Sequence, residues 1–268
     1  MAKEKERLDV LLVNRGLAVS REKAKTLIMA GDVFVNGQRE DKPGTTFEES
    51  KIKTLEVKGD TLPYVSRGGL KLEKAVNNFG FSLEKKICMD IGASTGGFTD
   101  CMLQNGASKV YSVDVGHGQL APSLKADERV TDLEGTDIRD ITAEDIGGEA
   151  DFICADVSFI SLTKILPKIY ELLKEGACAS VLIKPQFEAG KKDIGKKGIV
   201  KDRKVHIRVL TETDAFASSL GFICEKYTYS PIKGGSGNIE YLVKLCKRSG
   251  TPVVHDFRAL TERAFTEL

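Results

Sequence analysis

From residue 86 onward, short apolar runs and stretches of helical period take turns along the chain. Runs of strand length begin near Ile87, Val110, Val130, Phe152, Ala179, Phe222 and Tyr241. Between them, apolar positions recur at helical spacing near 97–105, 118–127, 162–175 and 201–220. Such alternation predicts an α/β domain with a parallel sheet covered by helices on both faces. The last two runs, Phe222–Tyr229 and 239–246, have no helix between them, so they are expected to form an antiparallel hairpin.

The N-terminal stretch has a different rhythm. Leu8, Leu11, Leu12 and Leu17 follow helical spacing, with a stop near Gly16. Ser20 is placed to cap a second helix, although Lys23 stands where a capping box has an acid. That helix carries Ala24, Leu27 and Ile28 and stops at Gly31. Val33 and Val35 then alternate with polar or outward positions, Asn36-Gly37 is a hairpin turn, and Ile52 with Leu55–Val57 supplies a closing strand. The expected organisation is a small α/β module at 1–59, a linker at 60–66 containing Pro63, and a large domain at 67–268. That domain opens on a helix near 69–79 whose apolar set is Leu70, Leu72, Ala75, Val76 and Phe79.

Composition adds mainly exclusions. At 268 residues there is room for one full α/β domain and one small one. No apolar run approaches the ~20 residues that span a bilayer. The charged start, Met1-Ala2-Lys3-Glu4-Lys5-Glu6, lacks the apolar core of a signal peptide. Six cysteines (88, 101, 154, 178, 224 and 246) form no C-x-x-C pair and are read as reduced core residues, which favours the cytoplasm. With only three scattered histidines, no metal site is expected. Nothing points to a membrane, and the oligomeric state is left open, with a monomer as the working expectation.

The net charge of +1 hides two basic stretches. Residues 184–208 hold nine Lys or Arg against three acids, a net +6; residues 3–25 hold seven against four, a net +3. A charge run alone is usually a solvated face. Here the runs mark candidate phosphate contacts, with Lys191, Lys192, Lys196 and Lys197 in the first and Arg7, Arg21 and Lys25 in the second. Arg67 joins them.

Chemistry concentrates where strands end. The segment 88–99 links the first strand of the large domain to its first helix, and its glycines let backbone approach a ligand at the sheet's carboxyl edge. The expected cofactor contacts there are Asp90, Gly92, Ala93, Ser94, Thr95, Gly96, Gly97, Phe98 and Thr99. Asp114 ends the second strand, 22 residues after Gly92, placed to accept from a ribose diol. A dinucleotide would suit this layout too. The spacing is not G-x-G-x-x-G, however, and a neutral loop beside Asp90 suits the sulfonium of S-adenosylmethionine (SAM) better than a pyrophosphate. Asp137 and Ile138, past the third strand, are placed for the adenine.

Four charged residues stand apart from these: Lys71 near the start of the 69–79 helix, Asp156 ending one strand, Lys184 ending the next, and Glu240 opening the last. In a doubly wound sheet those ends converge on the cofactor, so Asp156 is assigned to both sites. A sugar hydroxyl is a poor nucleophile until its proton is being removed. Free lysine, at about 10.4, is mostly protonated near neutrality, but burial and a second cation lower that value by as much as ~3–5 pH units. Lys184 is the expected base, Lys71 and the sulfonium keep it neutral, and Asp156 and Glu240 orient the two lysines. General-base assistance contributes ~10²–10⁴-fold.

The stretch from Arg7 to about Lys58 resembles the S4 RNA-binding domain, through Arg7-Leu8-Asp9, Ser20-Arg21-Glu22-Lys23-Ala24-Lys25, Leu27-Ile28, Gly31-Asp32-Val33 and Val35-Asn36-Gly37. The resemblance implies that Arg7, Arg21 and Lys25 face structured RNA. Over nearly its full length the chain is similar to the TlyA (haemolysin A-like) family of S4-domain rRNA 2′-O-methyltransferases with an FtsJ/RrmJ-like catalytic domain. The segments that carry this are 64–72, 90–99, 113–116, 156–162, 182–188, 197–200 and 234–241. It implies a Rossmann-like class I SAM-dependent methyltransferase, no metal, cytidine 2′-O-methylation in ribosomal RNA or ribosomal subunits, and a tetrad of Lys71, Asp156, Lys184 and Glu240. His117 stands where that family commonly has an aromatic, and Asp137 where it commonly has Asn. Two alternatives compete: a catalytically silent, ribosome-associated RNA-binding protein, against which the complete tetrad speaks, and a haemolysin, against which the lack of any spanning or long basic amphipathic segment speaks.

Overall fold

The computed structural model describes residues 5–18, 20–57 and 62–268. Residues 60 and 61 of the expected linker, and 58–59 beside it, lie outside the described residues. The chain divides into two compact units, Met1–Ser66 and Arg67–Leu268.

The first unit runs β1 (Lys5–Arg7), α1 (Leu8–Asn14), α2 (Arg21–Ala30), β2 (Val33–Val35), β3 (Gln38–Glu40), β4 (Thr46–Glu48) and β5 (Leu55–Val57). The side chain of Ser20 caps α2 by accepting from the Lys23 amide, and Gly31 ends the helix in a left-handed conformation. Leu8, Leu11, Leu12, Ala24, Leu27 and Ile28 meet Val33 and Val35 in one core. Strands β3, β2 and β5 form one sheet, and β1 pairs with β4 in a second. At the Asn36-Gly37 turn, the Asn36 side chain also accepts from the Lys53 and Thr54 amides and donates to the Lys51 carbonyl, so one residue turns the hairpin and anchors the approach to β5. The β1–β4 pair is beyond the reach of the sequence pattern, because three-residue strands carry too little period to be seen there.

The second unit runs α3 (Gly68–Phe79), β6 (Ile87–Ile91), α4 (Gly97–Gln104), β7 (Lys109–Asp114), α5 (Pro122–Lys125), β8 (Val130–Glu134), β9 (Ala150–Ala155), α6 (Leu166–Leu172), β10 (Leu173–Ile183), α7 (Pro185–Glu188), α8 (Arg203–Ser219), β11 (Phe222–Tyr229), β12 (Tyr241–Lys247) and α9 (Phe257–Glu267). Its seven strands are ordered β11-β12-β10-β9-β6-β7-β8. Strands β6 to β10 are mutually parallel and β12 is antiparallel to both its neighbours. The chain leaves β6 toward one edge and returns at β9 to build toward the other. The switch point therefore lies between β6 and β9, where a doubly wound sheet leaves a crevice at its carboxyl edge.

Two expected helices shrink. Residues 118–127 keep only Pro122–Lys125, with proline at the first turn and Gly118 left-handed before it. The 162–175 helix resolves into a 3₁₀ turn at Leu162–Lys164 and the seven residues of α6, and the chain is already β-strand at Leu173. Left-handed Gly176 accompanies the register shift between Leu173 and Cys178 in β10, which hid the strand's early start.

The cysteines require a correction. Cys178 and Cys246 are joined in a disulfide, whereas Cys88, Cys101, Cys154 and Cys224 are buried thiols. The pair is directly opposite in the antiparallel β10–β12 ladder, with Cα atoms 4.0 Å apart. Their 68-residue separation gave no hint of this. Cysteine content therefore no longer argues for a reducing compartment. Among the described residues, no helix is long and apolar enough to cross a membrane.

Candidate active site

At the switch point a cavity of about 390 Å³ opens, floored by Ile91, Gly92 and Val113 and walled by Asp114, Asp137, Ile138 and the 156–160 turn. Gly92 makes it possible. Its φ is +82°, and a Cβ there would lie 2.5 Å from the Asp156 carbonyl oxygen, so the turn after β6 can touch the turn after β9 only without a side chain. The Gly92 and Ala93 amides donate to the Val113 carbonyl and fasten that turn across β7. Ser94 follows at φ +48° and donates its amide to Asp114 Oδ2 at 2.8 Å, while Gly116 donates to Oδ1 at 2.8 Å. Asp114 is thereby fixed with lone pairs left on both oxygens.

Of the expected cofactor residues, Gly92, Ser94, Asp114, Asp137, Ile138 and Asp156 line the cavity, and Ala93, Thr95, Gly96, Gly97, Phe98, Thr99 and Asp90 do not. The second set builds the turn. Gly96 heads α4 in a left-handed conformation, packed so closely on Leu120 and Leu124 that a Cβ would collide with both. Phe98 and Thr99 are core. Asp90 is buried beneath the loop, because strand alternation turns it inward, and its Oδ2 accepts from the Thr99 amide and hydroxyl at 2.8 and 2.7 Å. Burial, helped by nearby Asp156 and restrained by Thr99, pushes its carboxyl up to about 7. Asp137 is held by Arg139 through both oxygens, and this guanidinium lowers its pKa. The His117 ring packs over Gly135 rather than on the cavity wall.

Sequence reasoning missed Val157, Ser158, Phe159 and Ile160, which also line the cavity. Phe159 is left-handed at φ +64° and almost wholly exposed, with its ring 5.0 Å from that of Phe187. Backbone in that region is strained for an aromatic residue. The available signal was position: these residues directly follow Asp156 at a strand end on the switch point.

Beside the cavity the four charged residues come together. Lys71 Nζ lies 3.0 Å from Asp156 Oδ2 and 2.8 Å from Glu240 Oε2. Lys184 Nζ lies 2.5 Å from Asp156 Oδ1 and donates to Ser158 Oγ at 3.0 Å. Gln186 Nε2 donates to Glu240 Oε1 at 3.1 Å. The order is Ser158–Lys184–Asp156–Lys71–Glu240–Gln186, and both lysines and Glu240 are buried. The β10–β12 register, with Ile183 opposite Tyr241, sets Lys184 and Glu240 at one edge. Burial would lower the Lys71 pKa, but Asp156 and Glu240 outweigh it and raise the value, so Lys71 stays an ammonium. For Asp156, burial pushes upward, yet Lys71 and Lys184 prevail and hold the carboxyl below its ordinary value.

The basic residues fall into distinct settings. Arg7 and Arg21 both bind the buried carboxylate of Asp9, Arg7 through two bonds of 2.9 and 3.0 Å and Arg21 through one of 3.1 Å. These bonds, Arg7 first, pull Asp9 down to about 2. Both guanidiniums remain about half exposed. Lys25 is one turn after Arg21 on α2 and partly buried. In the second unit Arg67 is exposed ahead of α3, and Lys191, Lys192, Lys196 and Lys197 are all exposed. Their loop is tethered: Asp193 pairs with Arg208, and buried Asn238 accepts from the Val200 amide and donates to the Gly198 carbonyl.

Residues 64–247 match the FtsJ-like methyltransferase family and residues 6–51 the S4 domain. YqxC of Bacillus subtilis (strain 168), provisionally named an rRNA methyltransferase, is 55% identical over 246 residues, covering 91% of this chain and 87% of that one. A Mycobacterium tuberculosis protein named 16S/23S rRNA (cytidine-2′-O)-methyltransferase TlyA is 42% identical over 239 residues, covering 89% of each chain. A provisionally named haemolysin from Streptococcus thermophilus has a solved structure that superposes with a TM-score of 0.77 at 46% identity, covering 99% of this chain and 98% of that one. The sheet order is that of the class I SAM-dependent methyltransferases. The chain belongs to the FtsJ-like methyltransferase family, in the S4-domain group whose members carry the TlyA and haemolysin A names.

Proposed function

We propose that the protein is a SAM-dependent 2′-O-methyltransferase of ribosomal RNA that acts on cytidine ribose, with Lys184 as general base. The observation that carries this is the buried chain Lys184–Asp156–Lys71–Glu240 at the mouth of a class I cofactor cavity. The names of its relatives supply the substrate class.

The residues present fit SAM. A neutral glycine turn allows backbone approach at Gly92, Asp114 keeps acceptor capacity for a ribose diol, and Ile138 with Asp137 borders the far end. When bound, SAM supplies an electrophilic methyl group on a cationic sulfur. The chain's own residues do the rest. Asp156 and Glu240 keep Lys71 charged, so this fixed cation faces the same carboxylate that holds Lys184. Lys184 takes the proton of the ribose 2′-hydroxyl as the hydroxyl oxygen becomes nucleophilic. The proton goes to the Lys184 amine, and only after that transfer do two ammonium groups face two carboxylates in the site. The exposed lysines at 191–197 and the S4 unit hold phosphates of the rRNA or ribosomal subunit.

Incubating the protein with methyl-labelled SAM and ribosomal subunits lacking their own modification, then digesting to nucleosides, tests this proposal. The expected product is 2′-O-methylcytidine, lost on Lys184→Ala. Intact SAM binding with no transfer to either subunit would overturn it in favour of a silent RNA-binding protein. A membrane-lytic activity has only the relatives' name behind it.

A further inference from the structure

Among the described residues Lys184 has two polar side-chain partners, and both come from one turn. Asp156 and Ser158 are two residues apart in the segment leaving β9, and each presents an oxygen to Lys184 Nζ, at 2.5 and 3.0 Å. The turn is stiffly defined. The Asp156 amide donates to the Ile91 carbonyl at 2.9 Å, and the chain reverses at left-handed Phe159 immediately after Ser158. Ser158 also lines the cofactor cavity, so the residue that accepts from the amine borders the cavity as well.

The valence of an amine gives this contact its meaning. A lysine nitrogen is tetrahedral, with one vertex bonded to carbon. If a second faces Asp156 and a third donates to Ser158, only the fourth remains for the lone pair of the neutral form. With Ser158 removed, rotation about Cε–Nζ distributes the lone pair over two vertices. A base must direct its lone pair at the proton it takes, and small errors of alignment are costly.

We infer that Ser158 is a positioning residue for methyl transfer, which aims the Lys184 lone pair at the ribose 2′-hydroxyl by accepting one of its N–H bonds. The inference rests on Lys184 as the base proposed above. In the step it serves, the O2′–H bond breaks and its proton joins Lys184 Nζ. The O2′–CH₃ bond forms as the S–CH₃ bond breaks, the sulfonium becomes a neutral thioether, and the lysine gains the positive charge. Ser158 accepts an N–H from Lys184 before and after, and it neither gains nor loses a proton.

The test compares wild type, Ser158→Ala and Ser158→Thr. Ser158→Ala should lower kcat about 10- to 100-fold, the range for losing a hydrogen bond to an ionisable partner, with KM for RNA and affinity for SAM changed less than ~3-fold. Ser158→Thr, which keeps the hydroxyl, should recover kcat to within ~3-fold of wild type. A second readout needs neither RNA nor turnover: the Lys184 Nζ–H signal in ¹H–¹⁵N spectra, assigned with Lys184→Arg. Its exchange with water should quicken in Ser158→Ala and slow again in Ser158→Thr. Unchanged kcat and unchanged exchange in Ser158→Ala would overturn the inference, as would a loss that fell on SAM affinity or KM rather than kcat. Wild type that transferred no methyl to RNA would instead sink the function itself, so the two failures are separable.

Discussion

A Cβ atom on residue 92 would sit 2.5 Å from the carbonyl oxygen of Asp156 and 3.0 Å from its carbon. Both atoms are backbone, so neither can swing aside, and φ at +82° disfavours any side chain. Gly92→Ala should therefore push apart the turns after β6 and β9, which carry the cavity floor and the tetrad's central carboxylate. We expect SAM affinity to fall by ~10-fold or more, measured by titration calorimetry. An alanine variant that binds SAM as wild type does would show that the two turns can separate harmlessly.

Lys71 neutralises two buried carboxylates at once. Removing it leaves Glu240, 2% exposed, with the Gln186 amide as its one side-chain partner among the described residues. Breaking a buried ion pair from one side costs about 3–5 kcal/mol. Lys71→Ala should lose stability of that order in urea titrations, along with activity. A loss below ~1 kcal/mol would mean that water enters and solvates the acids.

Acid stability should carry the mark of Asp9. Its folded value, about 2, is below the ordinary 3.8 because Arg7 and Arg21 hold the carboxylate. A depressed acid contributes stability that is complete above its unfolded value and is lost as pH falls through the folded one. The window is thus pH 4 to 2, and the contribution about 1–2 kcal/mol, discounted because both arginines are half exposed. Asp9→Asn should be less stable at pH 6, with the deficit shrinking toward pH 2. A deficit constant with pH would exclude the ion pairs as its cause.

Asp90 has the opposite sign. Burial raises its carboxyl to about 7, so the folded chain keeps a proton that the unfolded chain releases near 3.8. Its contribution favours the folded state at low pH and weakens as pH rises from about 4 to about 7. Asp90→Asn should gain on wild type across that interval in urea midpoints measured at successive pH values. Parallel curves would indicate an Asp90 that ionises normally.

On the proposed function, RNA affinity should fall steeply with salt. Replacing Lys191, Lys192, Lys196 and Lys197 together by alanine should flatten the slope of log K against log[salt] by about 3, at ~0.7–0.9 for each phosphate no longer neutralised. An unchanged slope would remove this loop from the RNA interface.

The starts of six of the seven large-domain strands could be read in sequence because buried strands are largely apolar runs; β10, which begins at Leu173 rather than near Ala179, could not. The convergence of Asp156, Lys184 and Glu240 could be read as well, since strand ends at a switch point converge whatever lies between them; Lys71 joins them from α3. What could not be read depends on packing across the sheet. The Cys178–Cys246 bond follows from ladder register, and the inward turn of Asp90 from which face of β6 it occupies. Ser158 and Gln186 look like ordinary polar residues until the ends of the lysine–carboxylate chain are traced to them. Asp9, in a segment read for its arginines, proved to be the residue that holds two of them.

That buried acid has a consequence for recognition. A free arginine arriving at a phosphate must give up rotamer freedom, at about 0.5–1.5 kcal/mol for each side chain immobilised. Arg7 and Arg21 have surrendered much of theirs already, braced on one buried carboxylate. On the proposed function, an anion placed beneath two cations subtracts from the charge they would offer to RNA. By pre-organising both guanidinium forks, it also moves the entropic cost of docking from the moment of encounter to the moment of folding.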